Sequence, residues 1–115
     1  MRVVATENSF IIRVYQDDSP NYISSCLVEC CGDEGTVKAI TGAGFYSAAE
    51  QIFEACEKRG IKVLKGYLTK ENGRLMRITC RKFADVKLTH SGFMAGIKMV
   101  WVTVRRKKRP FTMGF

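Results

Sequence analysis

The groups in this sequence best suited to chemistry are five cationic side chains within residues 70–82, where Glu71 is the one acidic residue. They are Lys70, Arg74, Arg77, Arg81 and Lys82. Cations without acidic neighbours can contact phosphate groups, although a charged face is often only solvated. The basic run 105–109 adds Arg105 and Arg106, and a run of this kind also serves as a localisation signal or a nonspecific arm. We predict phosphate contacts from residues 70–82 and, as one of these alternatives, from Arg105 and Arg106.

A Gly-x-Gly pair in the segment ITGAGFYS (40–47) is the second candidate site. In one interpretation, Gly42 and Gly44 form a turn that needs positive φ and close packing of a helix on a strand. In the other, they let a phosphate backbone approach a helix N-terminus, and Phe45 or Tyr46 offers a ring to a base. A nucleotide cofactor is disfavoured because Ser47 stands where a G-x-G-x-x-G motif needs glycine, and a P-loop lysine is absent. We therefore expect no cofactor.

The two parts of the chain differ strongly in charge. Up to Gly60 there are five basic and nine acidic residues, a net charge of −4. From Ile61 onward there are fourteen basic and two acidic residues, a net of +12, and the sum is the overall +8. Such asymmetry is typical of a protein with a polyanion-binding face, the alternative being a surface that is merely basic.

Composition favours an intracellular protein with one domain. A chain of 115 residues, 46% of them apolar, is long enough for one core and too short for two. No signal peptide or membrane span is expected, and five cysteines, an odd number, predict reduced thiols in the cytoplasm or nucleus. The cysteine spacing lacks C-x-x-C and His90 is the one histidine, so we expect no metal site. No carboxylate pair or nucleophile–base pair has a sensible spacing, so we expect no catalytic residue.

Hydrophobic periodicity predicts alternating strands and helices, followed by a hairpin. The predicted strands are 10–16, 36–41, 61–69, 74–83 and 97–106, and the predicted helices are 19–31 and 47–58. Ser19-Pro20 has the pattern of a helix start, and Ser47 to Glu50 fits a capping box with a buried face of Ala49, Ile52, Phe53 and Cys56. The sequence Glu71-Asn72-Gly73 is a tight-turn signal. Residues 84–95 show no clean period and are interpreted as a loop or irregular edge.

This pattern resembles the Alba family of small nucleic-acid-binding proteins. The matching features are the strand IIRVYQ, Asn21-Tyr22 at the start of the first helix, the strand that runs into Gly42-Ala43-Gly44, and the helix that ends before Gly60. The resemblance spans about residues 10–106. It implies an α+β fold, a single-domain βαβαββ two-layer sandwich with an extended basic β-hairpin, and pairing as a homodimer or as a heterodimer with another Alba-like chain.

The resulting hypothesis is a non-enzymatic nucleic-acid-binding protein. We expect one domain over 1–115, with a core of about 10–106 and a basic tail over 107–115. RNA is slightly favoured over DNA because aromatic side chains accompany the basic ones and Asp17-Asp18 replace the lysines common in the family. The alternative is a scaffold or interaction subunit of a ribonucleoprotein assembly. A third and weaker option is an enzyme acting on a phosphorylated substrate.

Overall fold

The computed structural model describes residues 1–3, 8–42 and 44–107. In these ranges, six strands and two helices follow one another as β1 Ser9–Tyr15, β2 Tyr22–Cys31, β3 Glu34–Gly42, α1 Ala49–Glu57, β4 Val63–Thr69, α2 Lys70–Cys80, β5 Ala84–Met94 and β6 Ile97–Arg106. The strands form one sheet in the order β1-β2-β3-β4-β6-β5. The β3–β4 pair is parallel and the other neighbouring pairs are antiparallel.

The predicted helix over 19–31 is wrong, because this segment forms strand β2. Ser24, Cys26 and Val28 are buried at every second position, which is the period of a strand. Gly32-Asp33 makes the two-residue turn into β3, where Gly32 adopts a φ of 62°. Ser19-Pro20 lies in the loop before β2, where the Ser19 hydroxyl accepts a hydrogen bond from the Asn21 N–H.

The predicted tight turn and the strand over 74–83 are also wrong, because helix α2 occupies 70–80. Thr69 caps this helix by accepting a hydrogen bond from the N–H of Asn72. Gly73, Met76 and Cys80 form its buried face at helical spacing. A Cβ on Gly73 would lie 2.7 Å from a methyl group of Val100, so the glycine serves close packing of helix on sheet rather than a turn.

Of the two interpretations of residues 84–95, a loop or an irregular edge, the second is confirmed, because residues 84–94 form the edge strand β5, which pairs with β6 along its length. The Ala95-Gly96 turn joins the two strands, and both of its residues have positive φ. The register shifts between His90 and Gly92, and this irregularity conceals the strand period in the sequence.

Four of the predicted strands and the second predicted helix are confirmed with small shifts at their ends. They are β1, β3, β4, β6 and α1. The buried face of α1 consists of the four residues predicted for it, Ala49, Ile52, Phe53 and Cys56. The capping box is wrong, because Ala48 is the N-cap residue and no side chain caps the helix.

Both helices pack on one face of the sheet, where the core lies. The rings of Phe53, on α1, and Phe83, just after α2, meet edge to face at 5.8 Å. Alternate residues of β4 and β6, including Leu64 and Val104, complete this core from the sheet side. Among the described residues, no helix is long and apolar enough to cross a membrane.

The expected Alba-like βαβαββ sandwich is therefore wrong. Three strands precede the first helix as an antiparallel meander, because the supposed first helix is a strand. The supposed basic hairpin is a helix followed by the β5–β6 hairpin. The single-domain interpretation stays a prediction, and residues 108–115 of the predicted tail lie outside the described residues.

Candidate active site

The candidate site begins where strands β3 and β4 separate. They pair at three positions, Glu34 to Thr36 with Val63 to Lys65, although β3 continues to Gly42 and β4 to Thr69. The register between β2 and β3 shifts just beyond this point, because three steps along β3 (Lys38 to Thr41) oppose two along β2. This extra residue is a β-bulge.

 Ala39, at the bulge, has a φ of 53°, a left-handed conformation that is costly for any residue with a Cβ. The bulge turns β3 away from β4, and a gap opens in the sheet.

This gap is a cleft of about 460 Å³, within the usual size range of small-molecule sites. It extends from the loop before α1 to the first turn of α2. Its described lining is Val37, Lys38, Ala39, Ile40, Gly42, Gly44, Phe45, Tyr46, Tyr67, Leu68, Thr69, Asn72 and Met99. Because the β3–β4 ladder ends at Thr36, the cleft exposes strand backbone that has no partner on the neighbouring strand.

The Gly-x-Gly pair lies at one end of the cleft. Gly42 and Gly44 have φ values of 85° and 83°. A Cβ on Gly42 would collide with the carbonyl oxygen of Ile23, so the turn interpretation is supported at this position. The pair leads into α1, whose N-terminus has no side-chain cap. The N–H groups of Ala48 and Ala49 donate to the backbone carbonyls of Gly44 and Tyr46, and the positive end of the helix dipole lies at this end. Glu50, in the first turn, already offsets part of that positive potential.

The two aromatic residues after the glycines have different roles. Phe45 is 5% exposed and belongs to the core, so its ring is not presented to a ligand in the way we predicted. Tyr46 is half-buried, meets the Phe45 ring edge to face at 5.6 Å and lines the cleft. Burial raises the pKa of the Tyr46 phenol, which therefore remains a hydrogen-bond donor at neutral pH.

The other end of the cleft consists of residues that the sequence analysis missed. Tyr67, Thr69 and Met99 line it from β4 and β6, and Asn72 lines it from α2. Asn72 was noted only as part of a turn signal and the other three belong to no motif; they border the cleft where β4 has no partner on one side. Nothing in the local sequence of β3 or β4 indicates that the ladder between them ends early.

The basic residues of 70–82 lie on helix α2 and in the turn after it, not on a hairpin. Lys70, Arg74, Arg77 and Arg81 are spaced by four, three and four residues, so they share one exposed side of the helix. They do not line the cleft, although Lys70 directly follows its lining residue Thr69. The ion pairs found in the described part of the chain involve none of these residues. Their predicted phosphate contacts remain a prediction.

Arg106 holds the end of β6 against α1. Its Nε donates to Glu57 Oε2 at 2.8 Å, a second bond joins the same two side chains, and this pairing raises the pKa of the guanidinium. The guanidinium also lies 5.5 Å from the centre of the Phe53 ring. Arg106 is therefore engaged within the fold, whereas Arg105, next to it, is exposed.

Comparison with solved structures shows that this fold is the GNAT acetyltransferase fold. TofI, solved in a ternary complex with an inhibitor and MTA, has a TM-score of 0.65 at 10% identity over 88% of this chain and 66% of TofI. A chimera of the spermidine N-acetyltransferase SpeG from Vibrio cholerae and hSSAT has a TM-score of 0.64 at 12% identity, over 87% and 70% of the two chains. An acetyltransferase from Bacillus subtilis, solved in complex with CoA, has a TM-score of 0.60 at 12% identity, over 86% and 78%.

This chain thus spans about two thirds of the length of TofI. No protein-family model matches the sequence, and no curated protein matches it.

The comparison corrects the resemblance to Alba and the function derived from it. The fold is that of acetyltransferases, so the expectation of a non-enzymatic nucleic-acid-binding protein is wrong. The expected partners, RNA or DNA and a second Alba-like chain, depended on the same resemblance and are corrected with it. The misinterpretation has a physical origin. Arg77 and Arg81 are four residues apart, and this spacing places two side chains on one side of a helix and also on one face of a strand.

Proposed function

We propose that this protein is an acyltransferase that moves an acyl group from a coenzyme A thioester to an amine. The observation that supports it most is the early end of the β3–β4 ladder at Thr36, which leaves a cleft between two parallel strands. The fold of acetyltransferases, one of them solved with CoA, supports the same proposal. The cleft supplies the site, and the fold supplies the class of reaction.

The cleft offers the groups that a coenzyme A thioester requires. Its pantetheine arm is a narrow chain with two amides, and the unpaired backbone of β3 beyond Thr36 can pair with amides. Its diphosphate can lie at the N-terminus of α1, where no side chain caps the first turn. The lining is otherwise mostly apolar, as expected for a site that holds an uncharged arm.

The chain's own side chains position the reaction. When bound, the thioester supplies an activated carbonyl carbon and a sulfur leaving group. Backbone N–H groups of β3 that lack a partner on β4 are preorganised donors for charge that develops on a carbonyl oxygen. Tyr46 and Tyr67 are the tyrosines of the described lining, and the hydroxyl of either can donate to the departing sulfur.

Lys70 extends the site at its rim. It is exposed, is the first residue of α2 and directly follows the lining residue Thr69. We assign it a contact with a donor phosphate. Lys82, which is also exposed but lies beyond the other end of α2, is its matched control.

The test is calorimetric titration of the purified protein with coenzyme A at moderate salt. We expect one site per chain, and Lys70→Ala should weaken binding up to about fivefold, as for an exposed charge pair. Lys82→Ala should leave the affinity unchanged. Equal losses in both variants would show that the basic protein attracts the anionic molecule without a site, and absence of saturable binding would contradict the proposal.

Acyl transfer is measured separately by mass spectrometry of amines incubated with acetyl coenzyme A. Mass detection is preferable to a thiol reagent, because Cys31 is exposed and would react with the reagent. Tyr46→Phe and Tyr67→Phe should keep coenzyme A binding, and the one that supplies the proton should lower the turnover rate.

An intracellular location belongs to the same proposal. The five cysteines are free, which suits a reducing compartment, and coenzyme A thioesters are intracellular metabolites. Fractionation of cells that express the full chain tests it, and recovery in the extracellular fraction would contradict it.

A further inference from the structure

An aromatic pair stands where the cleft opens on the sheet face opposite the helices. Tyr67 and Trp101 are directly opposite each other on β4 and β6, and their ring centroids are 4.5 Å apart at an angle of 66°. Strand alternation places them on the other side of the sheet from Leu68 and Val102, which are buried in the core. Tyr67 is 55% exposed, although an aromatic residue is costly to leave in water.

Tyr67 also lines the cleft, so one ring belongs both to the cleft and to the pair. Met99, two pairs further along the same two strands and therefore on the same face of the sheet, also lines the cleft. Thr89 Oγ1 donates to the backbone carbonyl of Trp101 and fastens this strand to β5. Tyr67, Trp101 and Met99 therefore form an apolar surface on two paired strands beside the cleft, which we call the apolar wall.

The charge of the lining restricts what this wall can receive. Lys38 is its one charged side chain among the described residues, and its ammonium is already 2.9 Å from Glu29 Oε2. An ammonium placed here would lose solvation and would find no carboxylate in the described lining, which holds no acidic side chain. The protein's net charge of +8 also disfavours the approach of a cation. A neutral amine avoids both costs.

We infer that the acceptor is an aromatic amine, uncharged at neutral pH, whose ring packs against Tyr67 and Trp101. This inference rests on the proposed acyl transfer. In the step, the amine nitrogen forms a bond with the carbonyl carbon of the thioester and the carbon–sulfur bond breaks. One proton passes from nitrogen to sulfur, so that an amide and a free thiol result, and no oxidant or reductant is needed.

Two isomeric amines differ in the property to be tested, the charge of the nitrogen at neutral pH. 4-Methylaniline and benzylamine have the same formula and one ring each, but the nitrogen of benzylamine is an ammonium at neutral pH. Both are incubated with the protein and acetyl coenzyme A, and the amide products are quantified by mass spectrometry. We expect kcat/KM for 4-methylaniline to exceed that for benzylamine by at least about tenfold, since each 1.4 kcal/mol of lost solvation is a factor of ten.

Trp101 provides a readout besides activity, because it is the one tryptophan in the chain. We expect 4-methylaniline to change its fluorescence in a saturable way. Tyr67→Ala should raise KM for this amine about tenfold, the upper range for an aromatic contact. Tyr22→Ala is the matched control: Tyr22, on β2, is also about half exposed and ring-paired, with Tyr15, but it does not line the cleft.

The outcomes separate this inference from the proposed function. Coenzyme A binding together with equal or better use of benzylamine would overturn the aromatic acceptor and leave acyl transfer intact. Equal effects of Tyr67→Ala and Tyr22→Ala would also overturn it. Failure to bind coenzyme A and to acylate any amine would overturn the proposed function, and the inference with it.

Discussion

Strand β4 has two neighbours in the sheet and joins them in different ways. With β6 it pairs over all seven of its residues, from Val63 to Thr69, without a register shift. With β3 it pairs over three, and the rest of both strands borders a cleft. One side of β4 therefore contributes to stability, while the other leaves backbone groups free for a ligand. A single strand thus supplies both the frame of the site and one of its walls.

The largest effect is expected from a pair of substitutions that compares a core-facing residue of β4 with one that faces the cleft. Leu64→Ala removes a core side chain and should lower the free energy of unfolding by about 2–5 kcal/mol. Tyr67→Ala, on the cleft side, should cost only about 1 kcal/mol, the worth of an aromatic pair. Denaturant titration checks both values, and equal losses of stability would contradict the division.

The thiols of the core predict a pH dependence. Burial raises the pKa of Cys26 and Cys80 to about 11 and that of Cys56 to about 12, from 9.0. Above pH 9 the unfolded chain loses these protons while the folded chain keeps them, so the free energy of unfolding falls with rising pH. The stabilisation is complete below pH 9 and is lost as the pH rises through 11–12.

Unfolding by denaturant between pH 8 and pH 11 measures this slope. Cys56→Ala should flatten it, whereas Cys31→Ala, which removes an exposed thiol, should leave it unchanged. A stability that does not change up to pH 11 would show that the thiols are not in the packed part of the fold.

The bulge of β3 predicts a smaller effect of opposite sign. Ala39 has a positive φ that glycine adopts freely, so Ala39→Gly should stabilise the fold by up to about 1 kcal/mol after the greater freedom of the unfolded chain is subtracted. The affinity for coenzyme A should be unchanged, because the bulge is retained. Ala39→Val should be destabilising, and thermal unfolding distinguishes the two variants.

The smallest expected effect concerns the helix N-terminus at the cleft. Glu50→Gln removes the acidic charge from the first turn of α1 and should tighten coenzyme A binding about two- to fivefold. Glu54→Gln, one turn further along the same helix, is the control and should change the affinity less. Calorimetry that shows weaker binding in Glu50→Gln would place the phosphates elsewhere.

The helix α1 and its buried face could be predicted, because Ala49, Ile52, Phe53 and Cys56 fit the period of a helix and not the alternation of a strand. It failed at β2, where the spacing of Ile23, Cys26, Leu27 and Cys30 also fits a helix. Pairing with β1 on one side and β3 on the other decides in favour of a strand, and such pairing is not encoded locally.

The site was predictable only in part. Gly42 and Gly44 were identified because positive φ has a recognisable residue preference. Ala39 also adopts a positive φ, but alanine does not indicate this conformation in a sequence. The bulge that opens the cleft therefore could not be predicted. Tyr67 and Met99 face the cleft only as a consequence of that bulge.

The most direct test of the β3–β4 cleft as the donor site is an amide NMR titration of the isotope-labelled protein with coenzyme A. We expect the shift changes to concentrate at residues 37–47 of β3 and its loop, and at residues 66–72 of β4 and the first turn of α2. Changes confined to Arg74, Arg77 and Arg81, with none in 37–47, would contradict it and identify the binding as attraction to a basic helix.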